Sequence, residues 1–252
     1  MTPANWLRYA TAKLGPLPDD YLVFDVETSG LSPREDVVIQ LGWALVEARA
    51  VVDRGAVVID WTRVGDPAWV QRFEERVAQT RYNIERRTGG GFGMGDSWNF
   101  NLDRIRAEGC HPQTAFEQFL GLADDCRAGG FKFVGHFGLR CDQPMIDRCC
   151  REVLGPDRGF LLAPDEYLDT MALEKGVQLG LPVQPGETWA AFIRRAYSAG
   201  GNKVRSSLSD FCVTKYNLDQ RHNLDMSQAH EADFDAVLTH HLLEHFRGVM
   251  EG

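Results

Sequence analysis

Hydrophobic positions change rhythm along this chain. From Tyr21 to Glu27 (Tyr-Leu-Val-Phe-Asp-Val-Glu) they run almost unbroken, entered from a Pro/Asp-rich turn. A short β-branched and aromatic run of this kind predicts a buried strand. Residues 37–47 and 50–61 are two more apolar runs, with Ala48-Arg-Ala as the turn between them, so residues 21–61 predict an antiparallel meander. Before it, residues 5–14 predict a short helix that Gly15-Pro-Leu-Pro breaks. Beyond Trp61 the rhythm changes. Residues 66–87 are charged and helix-permissive, and Thr88-Gly-Gly-Gly-Phe-Gly-Met-Gly predicts a flexible break. Phe116, Phe119, Leu120 and Ala123 then recur at helical spacing within residues 113–127. Residues 131–136 and the run ending in Tyr167-Leu-Asp-Thr predict strands, with a helix over 143–154 between them. From Thr188 onward the chain predicts mostly helix, closing with residues 231–246. Three strands, then alternating helix and strand, then a helical end, predict an α/β fold with a central mixed sheet flanked by helices.

The 252 residues show no repeat, low-complexity tract or long linker, so one domain over 1–252 is expected. Its core would lie at about 20–247, with a charged, Gly-rich insertion at about 62–100. No stretch approaches the ~18 apolar residues of a membrane span. The start, Met1-Thr-Pro-Ala-Asn-Trp, lacks the basic and apolar regions of a secretory signal. None of the six cysteines forms a Cys-x-x-Cys pair, which excludes zinc-ribbon and thioredoxin readings and predicts free thiols in a reducing cytoplasm. A net charge of -9 argues against duplex binding through bulk positive charge. It leaves room for nucleic acid where carboxylates converge on divalent metals, because the metals supply the local positive charge.

Three groups of residues carry candidate chemistry. Asp25 and Glu27 lie within the first strand, and the period of two puts both carboxylates on one face. Two acids on one face of a buried strand need compensation by arginines, backbone donors or metals. Taken alone, the triplet also describes a strand end with solvated acids. Asp142 follows the strand ending at His136 and falls at the start of a helix, where an acid also serves as a plain dipole partner. His230 and Asp235 are five apart, so they converge only if His230 lies in a loop and Asp235 inside the following helix. Together, four carboxylates can hold two divalent ions about 4 Å apart for in-line phosphodiester hydrolysis. A histidine of near-neutral pKa can then take the proton from the attacking water.

With those residues in view, Phe24-Asp-Val-Glu-Thr-Ser-Gly-Leu resembles the first motif of the DEDDh, or DnaQ-like, 3′–5′ exonucleases. Val134-Gly-His-Phe-Gly-Leu-Arg-Cys-Asp resembles the second, and His230-Glu-Ala-Asp-Phe-Asp-Ala the third. Position 231 is Glu where the tyrosine variant of the family has Tyr, which marks the histidine type. The chain departs from most relatives at Phe137, where they have Asn, and at Cys141, where they have Phe. The resemblance implies a ribonuclease-H-like fold and two divalent ions, Mg²⁺ or Mn²⁺. Asp25, Glu27 and Asp235 would hold the first ion; Asp25 would bridge to the second with Asp142 contributing; His230 would be the general base. Thr28, Ser29 and Gly30 would present backbone to the 3′-terminal nucleotide of a single strand. The resemblance assigns no role to residues 61–100. Some relatives are dimers and others join polymerases, so a homodimer or a polymerase association is open to this chain. DNA and RNA are not distinguished. A rival from another class is a noncatalytic module that binds a nucleic-acid end or a polymerase, and it would be expected to have lost at least one of these residues.

Arg194, Arg195, Lys203 and Arg205 lie in a stretch without acids, and predict either contacts to strand phosphates or a solvated basic face. Arg72, Arg76, Arg81, Arg86 and Arg87 are diluted by Glu74, Glu75 and Glu85 and predict helix-surface ion pairs. Phe137, Trp189, Phe192 and Tyr197 are candidates for base stacking or for the core. The glycine run lacks the Gly-Lys-Ser/Thr ending of a phosphate loop.

Overall fold

The computed structural model describes residues 1–30, 32–88, 101–163, 165–201 and 207–252, with backbone alone for 83–88. The predicted meander is present. Strand β1 (Tyr21–Thr28) pairs antiparallel with β2 (Val38–Glu47), which pairs antiparallel with β3 (Ala50–Val58). On its other side β1 pairs parallel with β4 (Lys132–Gly135), which pairs parallel with β5 (Tyr167–Asp169). The order β3-β2-β1-β4-β5 makes a mixed sheet with β1 at its centre. The chain turns between β2 and β3 through Ala48 and Arg49, both at positive φ.

The pleat of β1 sorts its side chains between two layers of helix. Tyr21 reaches α9 (Ala232–Glu251), its hydroxyl 2.8 Å from Nδ1 of His240. Phe24, at opposite parity, packs edge-on against Phe119 of α4 (Pro112–Ala128) and against Phe160. Asp25 and Glu27 share the parity of Tyr21 and therefore the face of α9. Helix α1 (Pro3–Leu14) lies over α9, and α5 (Asp142–Leu154) packs beside α4. Sheet and layers together are the ribonuclease-H-like α/β arrangement that the motifs imply.

Helix α9 sits unusually close to the sheet at its start. Any Cβ on Gly42 of β2 would collide with the backbone of Ala232 and Asp233. Only glycine permits this approach, which sets the first turn of α9 directly above β2.

The charged segment predicted as helix-permissive is α2 (Pro67–Thr88). It docks through an aromatic ladder: Trp61 stacks on Trp69 at 5.0 Å and Trp69 on Phe73 at 5.7 Å. Phe73 and Val77 are buried beneath it. The short α3 (Leu102–Glu108) follows. The C-terminal half contains α6 (Thr170–Leu179), α7 (Trp189–Ser198), a wide helical turn at Asp210–Lys215 and α8 (Leu218–His222) before α9. The predicted glycine-rich break, Lys203 and Arg205 lie outside the described residues.

Candidate active site

Three separate elements deliver four carboxylates to one place. Asp25 and Glu27 come from the end of β1, Asp142 from the first turn of α5, and Asp235 from the first turn of α9. Burial and neighbouring acids show in their protonation. Burial, followed by the charges of Asp142, Asp235 and Glu27, pushes Asp25 well above the usual carboxylate range. Glu27 is raised well above its ordinary value by burial and by Asp235, Asp142 and Glu231. Burial pushes Asp142 up to about 8, with Asp169 adding to it, and pushes Asp235 up to about 7. One oxygen of Asp142, Oδ2, is buried with no hydrogen-bond partner among the described residues.

His230 lies in the loop before α9, and Asp235 lies inside the helix, as convergence requires. The loop places His230 at φ 74°, a left-handed conformation that histidine tolerates better than most residues. Its backbone N–H points at Oδ1 of Asp235, 3.5 Å away. One ligand atom each from Glu27, His230 and Asp235 falls within 4.8 Å of the others. Burial lowers the pKa of His230, which keeps the ring neutral near pH 7.

The second motif is anchored from below. The Nδ1 atom of His136 lies 2.9 Å from Oγ1 of Thr170. Asp169 caps α6 by accepting from the Ala172 N–H at 2.9 Å. Its other oxygen accepts from Tyr167 and Tyr197 hydroxyls at 2.9 and 2.6 Å and from the Gly138 N–H at 3.1 Å. Asp147, the other acid near the second motif, is instead paired with Arg151 at 3.1 Å.

The loop after β1 is tightly internal. Thr28 donates its hydroxyl to the Gly30 carbonyl at 2.6 Å. The Ser29 hydroxyl accepts from the Val37 N–H at 3.0 Å and donates to Asp36 at 3.3 Å. A Cβ on Gly30 would meet the Asp36 carboxylate at 2.5 Å. Phe137 takes φ 70°, an uncommon conformation for a bulky residue, and its ring sits 4.7 Å from that of Tyr197. Arg194 is exposed on α7, while Arg195 is held by Glu187 at 2.7 Å and by the Pro182 carbonyl at 2.8 Å. No contact links these two arginines to the four carboxylates among the described residues. Trp189, Phe192 and Tyr197 are core residues.

Gln40, Glu231 and Arg104 belong to the site as well, and sequence reasoning passed over them. Gln40 stands opposite Glu27 in the β1–β2 register and is 3% exposed. Its amide donates to Glu231 at 3.1 Å and accepts from the Ala232 N–H at 2.8 Å, so it ties down the loop that carries His230. Arg104 of α3 grips the other oxygen of Glu231 at 3.2 Å. The available signal was a lone buried amide in an otherwise apolar strand.

The mixed sheet thus carries two of these acids at the end of its central strand, and two helix starts bring the others beside them. No family model matches the chain, and no curated protein matches it. Among solved structures it is similar to exonuclease I. The zinc-bound E. coli enzyme with single-stranded DNA is 15% identical with a TM-score of 0.53, over 89% of this chain and 39% of that one. The same enzyme with a dA16 oligonucleotide is 12% identical at 0.51, over 93% and 42%. Exonuclease I from Methylocaldum szegediense is 15% identical at 0.52, over 90% and 41%. This chain therefore spans about two fifths of the length of these structures. At such identities the likeness establishes the fold.

Proposed function

We propose that this chain is a metal-dependent 3′–5′ exonuclease that hydrolyses single-stranded DNA or RNA ends to nucleoside 5′-monophosphates. The observation that carries the reading is the poorly compensated quartet: burial raises all four carboxylates, Asp142 and Asp235 push Asp25 and Glu27 up further, and Asp142 Oδ2 is buried without a partner among the described residues. Buried acids without donors are costly, and cations relieve that cost. All-oxygen donors from carboxylates suit hard ions such as Mg²⁺ or Mn²⁺. Asp25, Glu27 and Asp235 would hold one ion, and Asp25 with Asp142 a second. When bound, such ions supply an activated water and stabilise charge on the phosphoryl oxygens.

The protein's own residues do the rest. A neutral His230 accepts a proton from the attacking water at a ring nitrogen. Gln40 and Glu231 hold the loop that positions it. Of Thr28, Ser29 and Gly30, Ser29 already spends its backbone N–H on Val37 and its carbonyl on Thr80, so Thr28 and the Gly30 N–H are the backbone left to face the terminal nucleotide, and Phe137 offers a ring for stacking. Arg194, Arg195, Lys203 and Arg205 are the notional contacts to trailing phosphates, with Arg195 the weakest because Glu187 already occupies it. The partner is a single-strand 3′ end; a second copy or a polymerase would join in trans. No described helix is long and apolar enough to cross a membrane. Six free thiols suit a cytoplasmic setting.

The test uses single-stranded DNA and RNA of one sequence, labelled at the 5′ end, with Mg²⁺, Mn²⁺ or a chelator. A descending ladder that needs metal is expected, and the relative rates name the substrate. No shortening of either strand by folded protein would transfer the reading to a noncatalytic end-binding module.

A further inference from the structure

A cleft of about 420 Å³ opens behind the loop that follows β1, between that loop, α2 and α5. Such a volume lies in the range of ligand-binding clefts. Ser29, Arg34, Trp69, Arg72, Arg76 and Arg148 are among its lining residues. Four arginines in one cleft stand out in a chain of net charge -9.

The four divide by what they touch. Arg76 is committed to Asp36, through Nε at 2.5 Å and Nη2 at 2.9 Å. Arg148 donates to the Pro33 carbonyl at 2.7 Å, to the Asp36 carbonyl, and to Glu152 at 2.7 Å. These two arginines build the wall. Arg34 on the loop and Arg72 on α2 are exposed, and neither has a hydrogen-bond or ion-pair partner among the described residues. The cleft's own acids are Glu35, 3.8 Å from Arg76, and Glu152, already paired with Arg148. Two cations from different elements therefore remain available over a wall that is already braced. Trp69, partly buried and stacked on Phe73, adds an aromatic side to the same cleft. Thr80 donates to the Ser29 carbonyl at 2.7 Å and pins α2 to the loop. Available cations beside an aromatic surface on a braced wall are the elements of single-strand binding.

We infer that this cleft is a second phosphate-binding site, in which Arg34 and Arg72 hold the sugar–phosphate backbone of a single strand whose 3′ end lies at the carboxylate quartet. The inference rests on the exonuclease reading for its direction, since Ser29 lines the cleft only two residues beyond Glu27. A strand anchored there would remain held while its end is removed.

The test measures binding in chelator, by fluorescence anisotropy, of a 5′-labelled deoxythymidylate oligomer of about 12 nucleotides, within the span of single-strand sites. The double variant Arg34→Gln/Arg72→Gln removes exposed, unpartnered side chains and should fold as the parent does. Each lost phosphate contact lowers the slope of log affinity against log salt by about 0.7. The double variant is expected to lose about 1.4 of slope and roughly 10- to 30-fold of affinity near ~0.1 M salt. A matched variant on α1, Arg8→Gln/Lys13→Gln, should retain parental binding. Unchanged affinity and slope in the cleft variant would overturn the inference, as would an equal loss in the α1 variant. Displacement of the oligomer by equimolar thymidine 5′-monophosphate would also overturn it, because the cleft would then be a mononucleotide site. Protein that binds as expected yet shortens no strand leaves the cleft standing and sinks the exonuclease reading; normal binding by the cleft variant beside a normal ladder does the reverse.

Discussion

Asp25 and Asp36 are separated by one short loop, and the protein treats their charges in opposite ways. Asp36 has no exposed surface, yet it is held below the usual carboxylate range. Burial alone would raise it; the bidentate Arg76 contact, the Ser32 N–H at 2.8 Å and the Ser29 hydroxyl overcome that. Asp25 keeps some surface at the mouth of the site, but burial and three neighbouring carboxylates push it up. A buried acid with a structural task carries its own donors. The quartet carries like charges instead, so its compensation has to come from outside the chain. The contrast separates an acid that holds the fold together from acids that wait for a ligand.

Removing one member of the quartet tests the contrast most severely. Asp25→Asn should lower the rate of strand shortening roughly a thousandfold or more, because it removes the residue proposed to help hold both ions. The same change should raise the melting temperature in chelator, since it deletes a repelled charge while keeping shape. Rate by product ladder and melting by scanning fluorimetry check both halves. A lower melting temperature would show that Asp25 already has compensation within the fold, and the contrast with Asp36 would collapse.

Acidity provides the next test. The quartet's folded pKa values are raised, so the folded protein holds protons that the unfolded chain has released. Stability from these groups is therefore present at low pH and lost as pH rises through the folded values. With Asp235 at about 7 and Asp142 at about 8, that loss begins near the unfolded carboxylate value of about 4 and is complete only near pH 8. The buried histidines, lowered by burial, oppose it below about pH 6.5, where the unfolded chain takes up protons that the folded rings do not, so the quartet acts alone from about pH 6.5 to 8. In chelator the melting temperature should fall on the order of 5–10 °C across it. Saturating Mg²⁺ should remove most of that fall, because bound cation replaces the protons. Asp36 works in the opposite sense: its contribution is present above the unfolded carboxylate value and is lost only in acid.

How much of this was legible in the sequence follows from how local each signal is. Asp25, Glu27, Asp142, His230 and Asp235 stood out because the chemistry demands fixed residue types at fixed spacings on a strand, a helix start and a loop–helix junction. The strands and most helices were legible from periodicity, including α2 as a helix-permissive segment, whereas α3 and α6 were not predicted. What α2 does was not. Arg76 looked like a member of a surface ion-pair group, and its partner Asp36 lies 40 residues upstream in a loop. Gln40 and Glu231 are 191 residues apart. Such pairings are created by tertiary placement and leave no periodic trace. The backbone of Phe137 was equally silent: relatives' Asn suits a left-handed residue, whereas here a phenylalanine holds that conformation against Tyr197.

The smallest expected effect probes the other side of the comparison. Arg76→Ala would leave the Asp36 carboxylate buried with only a hydroxyl and backbone N–H donors. Breaking a fully buried pair costs about 3–5 kcal/mol, but the Arg76 side chain is 42% exposed, so water takes up part of the loss. A destabilisation of about 2 kcal/mol, or roughly 4–8 °C in melting temperature, is expected. Because Arg76 also ties α2 to the loop beside the quartet, the substrate KM should rise while the metal dependence of the rate stays unchanged. Arg76→Lys should recover only part of the stability, since an ammonium cannot make the two parallel bonds of a guanidinium. Denaturant melts and initial rates across a metal titration measure these quantities. If Arg76→Ala were instead to shift the metal requirement, Asp36 would be electrically joined to the quartet. The two treatments of buried charge would then be one network rather than two.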